Sequence, residues 1–378
     1  MHTFHHMISL VTDSGTQAIT PAFDQRFGIQ HITLLSMPSL MDRAHRLAET
    51  CRQVGKASDV EQMVTRWKPQ ALREQLQHIL SGCNVAHLII NLSGATPVEA
   101  IELAQLARSM TIPAFVIEPE VDKAVWIERP ASSSTRMPEL DVADTLSLSQ
   151  YFIVHGYQLN HAMATLKQRN YRAERIAKFM ADLAVHSPRT LLRLNRAGAE
   201  LDENLRSFIH FDASDWHALG FLAESGYLRW HHQDRVQFAS GEARNFLCGG
   251  WLETFVFATV AELAHKLPIQ DAATGVIVTT QDRVSNEFDV ALIANNQLYL
   301  IECKARGPRR ASGVGMDTLF KLDSLAGQMG LNSRAMLVSL AKPTHAEQMR
   351  AEAQGIEILA GGRLLRLSEE LQQWLSRN

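Results

Sequence analysis

The chain has 378 residues, 46% of them hydrophobic and 20% charged, with a formal net charge of −3. That is enough apolar material for two or three packed domains, and the near-neutral balance excludes a surface built throughout for polyanions, so nucleic-acid contact has to rest on local patches. Apolar runs of strand length, broken by polar groups, lead us to expect no membrane span. No charged-then-apolar leader with a cleavage site opens the chain, so no signal peptide is expected. Cys51, Cys83, Cys248 and Cys303 lack metal-ligand spacing and read as free thiols of a cytoplasmic protein.

The first third alternates strands and helices. Met7 to Val11 reads as a strand ending in Thr12-Asp13-Ser14-Gly15-Thr16, His31 to Leu35 as one ending in Ser36-Met37-Pro38, and His87 to Leu92 as one ending in Ser93-Gly94-Ala95-Thr96. Helices are expected around Asp42 to Gln53, Pro69 to Ser81 and Pro97 to Arg108, before a strand at Ile112 to Ile117. This order predicts an α/β fold with a parallel, doubly wound, Rossmann-like sheet. Ligands of such sheets sit outside the carboxyl ends of the strands, where small and hydroxyl residues let backbone N–H groups and helix N-termini meet phosphates. The candidate ligand residues are therefore Thr12, Asp13, Ser14, Gly15, Thr16, Ser36, Met37, Asn91, Ser93, Gly94, Ala95 and Thr96. Neither Gly-x-Gly-x-x-Gly nor Gly-x-x-x-x-Gly-Lys-Ser/Thr is present.

Helical spacing from Tyr151 to Val185 predicts one long helix or two shorter ones, with a break at Ser187-Pro188. From His161 to Arg196, Lys167, Arg169, Arg172, Arg175, Lys178, Arg189, Arg193 and Arg196 face only Glu174 and Asp182, eight charges against two. That run is a solvated face or a phosphate-tracking surface. Between Phe211 and Ser240, Asp212 and Ser214 offer caps for a helix to Glu224, Gly226 a stop, and Tyr227 to Trp230 with Arg235 to Phe238 a hairpin. The order is winged-helix-like, but Asp212, Asp215 and Glu224 favour a packing or dimerisation module over a DNA reader. His2, His5, His6, His231 and His232 read as surface residues.

Gly249-Gly250-Trp251-Leu252-Glu253 opens a helical run from Thr254 to Lys266. Asn286 to Val290 and Leu298 to Lys304, either side of Asn295-Asn296, predict a β-hairpin. Strand period two puts Glu302 and Lys304 on one face, with Cys303 pointing away, and brings Asp289 to them. Carboxylates this close repel unless a divalent cation lies between them, and hard oxygen ligands suit Mg²⁺ or Mn²⁺. A lysine beside such a site orients or helps deprotonate water, or neutralises charge on a phosphate, as phosphodiester hydrolysis requires. Glu287, on the face of Asp289, supports the metal or pairs with an arginine. Arg306, Arg309 and Arg310 follow the catalytic strand and suit substrate phosphate. Leu319 to Leu325 begins a helix and Ala335 to Leu340 reads as a buried strand, giving the order helix, strand, strand, helix, strand.

Asp289, twelve further residues, then Glu302-Cys303-Lys304 resembles the PD-(D/E)xK restriction-endonuclease-like core, with Phe288 where that motif has proline. Asn91-Leu92-Ser93-Gly94-Ala95-Thr96-Pro97 resembles the Asn-Leu-Thr-Gly-Gly-Thr-Lys loop of CRISPR-associated Rossmann fold (CARF) domains, with Ala95 and Pro97 replacing the second glycine and the lysine. Together they are similar to the CRISPR ancillary nucleases of type III systems. The resemblance implies a CARF-like domain over 1–145, a helical, winged-helix-like connector over 146–245 and a nuclease domain over 246–378. It implies a metal held by Asp289, Glu302 and the Cys303 carbonyl and extended by Glu253, with Lys304 orienting water and Lys321 contacting the scissile phosphate or holding the acids. Asp13 would take a ribose hydroxyl or an adenine amino group. It further implies a homodimer in which a cyclic oligoadenylate, most often cyclic tetra-adenylate, switches on cleavage of DNA, RNA or both. The rivals are a ligand-independent restriction or repair endonuclease and a non-enzymatic transcriptional sensor.

Overall fold

Two seven-stranded sheets and one three-stranded sheet organise the chain. The computed structural model describes residues 4–13, 15–64, 68–118, 122–129, 140–231, 235–305, 313–330 and 333–376, so Ser14, Arg306, Arg309, Arg310, His2 and His232 lie outside the described residues. The first sheet runs Ala57–Gln62, His31–Ser36, His6–Leu10, Leu88–Asn91, Ala114–Glu118, Lys123–Glu128, Leu140–Asp141. Its first five strands are parallel and the last two antiparallel, so the expected parallel sheet carries an antiparallel edge. The central strands read as continuous apolar runs because helices cover both faces. Met7, Ile32 and Ile89 enter one core; Ile8, Leu10 and Ile90 enter another. Helix Pro97–Ser109 starts at Thr96, whose side chain and that of Glu99 form a capping box.

The second large sheet runs Ile356–Ala360, Arg334–Ser339, Gln297–Lys304, Ser285–Ala294, Ile269–Thr280, Tyr157–His161, with Ala164–Thr165 also paired to Ile269–Thr280. Helix Trp251–Leu263 packs in one core against it and helix Met316–Gln328 in the other. The expected helix, strand, strand, helix, strand series is present, with two unanticipated strands, Ile269–Thr280 and Ile356–Ala360. The helical reading of Tyr151 to Val185 is corrected: helices Leu148–Val154 and Tyr171–His186 flank the short strands Tyr157–His161 and Ala164–Thr165. The boundary at 145/146 falls between the two large sheets, whereas that at 245/246 divides the second one, since the segment read as connector supplies two of its strands.

Between the two helical stretches and the C-terminal domain, helix Trp216–Glu224 stands on a sheet of Arg206–Ser207, Arg235–Phe238 and Leu228–His231. One of its acids turns inward: Asp215 is fully buried, accepts from Thr190 Oγ1 at 2.6 Å and pairs with Arg193, which also meets the exposed Asp212 at 2.7 Å. The expectation of no membrane-length segment is also corrected. The merged helix Gly241–Leu263 reaches a mean hydropathy of 1.3, but 61% of that window is buried against the rest of the chain, as a core helix requires.

The two large sheets share a core, in which the rings of Phe152 and Phe288 stack at 5.9 Å. Their polar joint is the hairpin turn, where Asn295 and Asn296 take left-handed φ values of 48° and 54°. Asn296 is buried, and its Nδ2 donates to Asp122 Oδ2 at 2.6 Å and to the Ala143 carbonyl at 3.2 Å. Its Oδ1 accepts from Gln270 Nε2 at 2.6 Å and from the Thr145 and Leu146 amides at 3.3 and 3.4 Å. Tyr151 OH adds a bond to the Met329 carbonyl at 2.8 Å.

Burial pushes the Asp122 carboxyl up to about 7 against the Asn296 hydrogen bond, and Asp144, Asp141 and Asp24 add to the shift. The folded protein thus keeps a proton that the unfolded chain releases near its ordinary value of 3.8, and the stability tied to it is lost as pH rises from about 4 to about 7. Asp122→Asn keeps an acceptor for Asn296 and suits the left-handed φ of 49° at this position. It is expected to raise the melting temperature above wild type at pH 8 and to leave it near wild type at pH 4; a lower melting temperature at pH 8 would contradict the assignment.

Candidate active site

The strands Ser285–Ala294 and Gln297–Lys304 are paired from Ala294/Gln297 to Val290/Ile301. Beyond that point Gln297–Lys304 continues beside Arg334–Ser339, and Ser285–Ala294 beside Ile269–Thr280. At the divergence the Cys303 amide donates to the side chain of Asp289, at 2.6 Å from Oδ2. Thr274 Oγ1 holds the Asp289 carbonyl at 2.8 Å. Asp289 is thereby fixed beside Glu302, which is only 8% exposed and accepts from Lys304 Nζ at 2.6 Å. Period-two geometry sends the Cys303 side chain the other way, into the core, where burial raises its thiol well above the ordinary range and keeps it unreactive.

Glu253 enters from the first turn of helix Trp251–Leu263, just after a π-helical turn, Phe246–Gly250, that kinks the chain at Gly249. Burial, then the charges of Asp289, Glu287 and Glu302, push its carboxyl up to about 8. Asp289 rises to about 6 through burial and Glu302, opposed by the Cys303 amide and Lys304. Burial works against the Lys304 ammonium, but the Glu302 hydrogen bond and the Glu302 and Asp289 charges outweigh it and raise its pKa. Lys304 is accordingly a fixed cation at neutral pH, suited to orienting and charge neutralisation rather than to accepting a proton.

One lysine thus faces four carboxylates, Glu253, Glu287, Asp289 and Glu302. Among the described residues no three acids, histidines or cysteines close into a ready-made chelate. The donor chemistry nevertheless fits a hard divalent cation: oxygen ligands, held together, whose mutual repulsion is relieved by protons or by a metal. A cavity of about 370 Å³ lined by Asn245, Glu253, Cys303, Lys304 and Ala305 gives the cluster its opening. Lys321 is not brought to it. That residue is exposed on helix Met316–Gln328, whose Leu319, Leu322 and Leu325 pack in the other core, and it is not among the charges that dominate the cluster.

At the carboxyl end of the first sheet, the loops after His6–Leu10 and Leu88–Asn91 touch. Gly94 has φ 73°, and a Cβ there would stand 2.6 Å from Thr12 Cγ2. Asn91 Nδ2 donates to the Gln17 carbonyl at 2.7 Å, while its Oδ1 accepts from the Ser93 amide and hydroxyl. Ser93 Oγ accepts from the Ile117 amide at 2.8 Å, and buried Ser36 donates to the Met37 carbonyl at 3.1 Å. Asn91, Ser93, Ser36 and the capping Thr96 therefore shape the loops, and Thr16 is buried; the accessible surface is Asp13 and Gly94, with Thr12, Gly15, Met37 and Ala95 partly exposed. Sequence reasoning missed Arg43, a buried guanidinium that donates to the Gly15 and Val154 carbonyls, each at 3.2 Å. Burial and Arg46 lower its pKa to about 10, so it stays charged beneath the loop.

Residues 240–378 match the family model of the Card1-like endonuclease domain. No curated protein matches the chain. Protein VC1899 from Vibrio cholerae superposes with a TM-score of 0.84 at 24% identity, over 99% of both chains. Can2 from Sulfobacillus thermosulfidooxidans, solved with cyclic tetra-adenylate, gives 0.80 at 20% identity, over 98% of this chain and 97% of that one. A type III CRISPR defence DNA nuclease activated by cyclic oligoadenylate gives 0.57 at 15% identity, over all of this chain and 52% of that one. These likenesses establish a shared two-domain α/β fold.

Glu253 ties the cluster to pH. Its folded pKa lies above its ordinary value of 4.5, so its contribution to stability is present at low pH and lost as pH rises to about 8. Without divalent ions, Glu253→Gln is expected to stabilise the protein at pH 8.5 by on the order of 2 kcal/mol, discounted from the full shift because water reaches part of the side chain. At pH 5 the two proteins should unfold alike in urea.

Proposed function

We propose that this chain, whose residues 240–378 match the Card1-like endonuclease domain, is a cytoplasmic, homodimeric nuclease of type III CRISPR defence that cuts DNA, RNA or both when a cyclic oligoadenylate, cyclic tetra-adenylate first among them, binds its N-terminal domain. The observation that carries this reading is the acid cluster at one end of a hairpin whose other end is bonded into the ligand-ready domain. The folds solved with cyclic tetra-adenylate and as a cyclic-oligoadenylate-activated nuclease support the choice of ligand.

Asp289, Glu302, the Cys303 carbonyl and Glu253 would hold Mg²⁺ or Mn²⁺. Bound there, such an ion supplies Lewis acidity and a lowered pKa for coordinated water. Lys304, kept protonated by Glu302, positions the attacking water and offsets charge on the phosphate. The Cys303 amide fixes Asp289, so the strand backbone itself orients one of the acids. The ligand would lie on the exposed backbone of the loops at Thr12, Asp13, Gly15, Met37, Gly94 and Ala95 of two protomers, with Arg43 holding the first loop from beneath.

Cleavage of supercoiled plasmid and of single-stranded RNA is expected only with both Mn²⁺ or Mg²⁺ and cyclic tetra-adenylate. Glu302→Ala and Lys304→Ala should each slow cleavage by about a hundredfold or more while binding the activator normally. Full activity in either variant would remove the site assignment, and cutting without activator would point to a ligand-independent nuclease.

A further inference from the structure

Helix Trp251–Leu263 borders a second, larger cavity. About 840 Å³ in volume, it lies between that helix, helix Tyr171–His186 and the hairpin of the connector module. Asn245, Gly250 and Glu253 line both this cavity and the one that opens on Lys304, so the two spaces meet at the acid cluster. The volume falls within the roughly 300–1,000 Å³ of pockets that enclose a small molecule. It is too small for a stretch of stacked base pairs.

Its wall carries an aromatic pair and a cation. The rings of Tyr227 and Phe246, both half-buried, lie 5.0 Å apart, and the Arg172 guanidinium stands 5.9 Å from the Tyr227 ring centroid. Arg172 is held in place by the Ser225 carbonyl, and Gly226 makes room for it, since a Cβ there would come within 2.7 Å of Nη2. Three other cations of the basic run are neutralised: Arg169 by Glu174 at 2.6 Å, Lys178 by Glu262 at 2.5 Å and Arg193 by Asp212 and Asp215. Arg172 has no ion-pair partner among the described residues; of the acids on the same lining, Glu174 is held by Arg169, while Glu242 and Glu253 have no ion-pair partner among those residues. Aromatic faces stack any base, and an adjacent arginine adds cation–π attraction and meets the backbone charge.

We propose that this cavity receives one unpaired nucleotide of the substrate strand beside the phosphate that is cut, its base against Tyr227 and Phe246 and its flanking phosphate on Arg172. The inference rests on the nuclease reading and specifies its substrate: a strand that is single-stranded, or locally unpaired, at the cut. A paired base enters only after it is unstacked, which costs a few kcal/mol. The connector module is thereby a wall of the active site, and Arg172, Tyr227 and Phe246 determine specificity without touching the reacting atoms.

The test uses the full-length protein with cyclic tetra-adenylate. Binding of a fluorescein-labelled single-stranded oligonucleotide is read by anisotropy in Ca²⁺, and cleavage in Mn²⁺ is read on oligonucleotides whose single abasic site is moved one position at a time. Tyr227→Leu and Arg172→Gln should each raise the Kd about tenfold, within the range for losing one base–aromatic stack, and Tyr227→Trp should recover the affinity. In wild type, one abasic position next to the cut should lower cleavage by about tenfold, and in Tyr227→Leu that position should lose its effect. Cleavage by wild type that is indifferent to every abasic position, or a Kd for Tyr227→Leu within about twofold of wild type, overturns the pocket and leaves the nuclease reading standing. A wild-type protein that neither binds nor cuts any oligonucleotide overturns both. Melting temperature and activator binding identify a misfolded variant, in which case the abasic scan on wild type decides.

Discussion

The amide of Asn296 is the joint on which the arrangement of this molecule depends. It sits at the tip of the hairpin that carries Asp289 and Glu302, and both its donor and acceptor atoms are engaged across the domain boundary by Asp122, Ala143, Thr145 and Leu146. A buried polar group left without partners costs about 1–3 kcal/mol, so the tip does not leave the N-terminal domain without replacing those bonds. From Asn296 to Glu302 the extended strand spans about 20 Å. Coupling between the strand-end loops and the acid cluster has a stiff physical route in this hairpin, supported by the shared apolar core and the Tyr151 bond to Met329. Two states with different ligand affinity are what would make that route a switch.

The acid cluster at the far end works against folding. Three carboxylates and a fourth nearby are held around a single lysine, and their mutual repulsion is met at neutral pH by a proton retained on Glu253, while Asp289 holds its own only below about 6. The surroundings hold them there regardless. Trp251, Phe257 and Tyr299 are fully or almost fully buried around the helix and strand that present Glu253 and Glu302. The charge that destabilises the site on its own is the charge that gives a hard cation something to bind, an opposition common where function and stability compete.

The connector changes character once its contacts are known. Counted along the chain, its basic run promises a broad phosphate-binding face; in the fold, salt bridges to Glu174, Glu262, Asp212 and Asp215 engage three of its eight cations. Two of the acids that made a DNA-reading winged helix unattractive, Asp212 and Asp215, tie this module to helix Pro188–Ala199. Arg172 is left without an ion pair where the module faces the nuclease helix, beside Tyr227.

Local chemistry made the hairpin, its turn, the Glu302–Lys304 face and the helix carrying Glu253 legible in the sequence, because strand alternation and left-handed asparagines act over a few residues. The same holds for the strand-end loops and for helix Pro97–Ser109. Strand Ala57–Gln62, with Val60 its one large apolar residue, showed no such pattern, and neither did Ile269–Thr280, whose apolar alternation is interrupted at Gly275 with φ 60°. The helical spacing read across Tyr157–His161 hid a strand whose partner lies more than a hundred residues away. Sequence by itself determined which side chains could do chemistry and on which local element each would stand. The tertiary structure alone decided that the Cys303 amide holds Asp289, that Arg43 supports the first loop, that Lys321 stands apart from the acids and that Asn296 bolts one domain to the other. Each of these is a contact between distant segments, set by how sheets and helices pack, and such contacts leave no periodic trace along the chain.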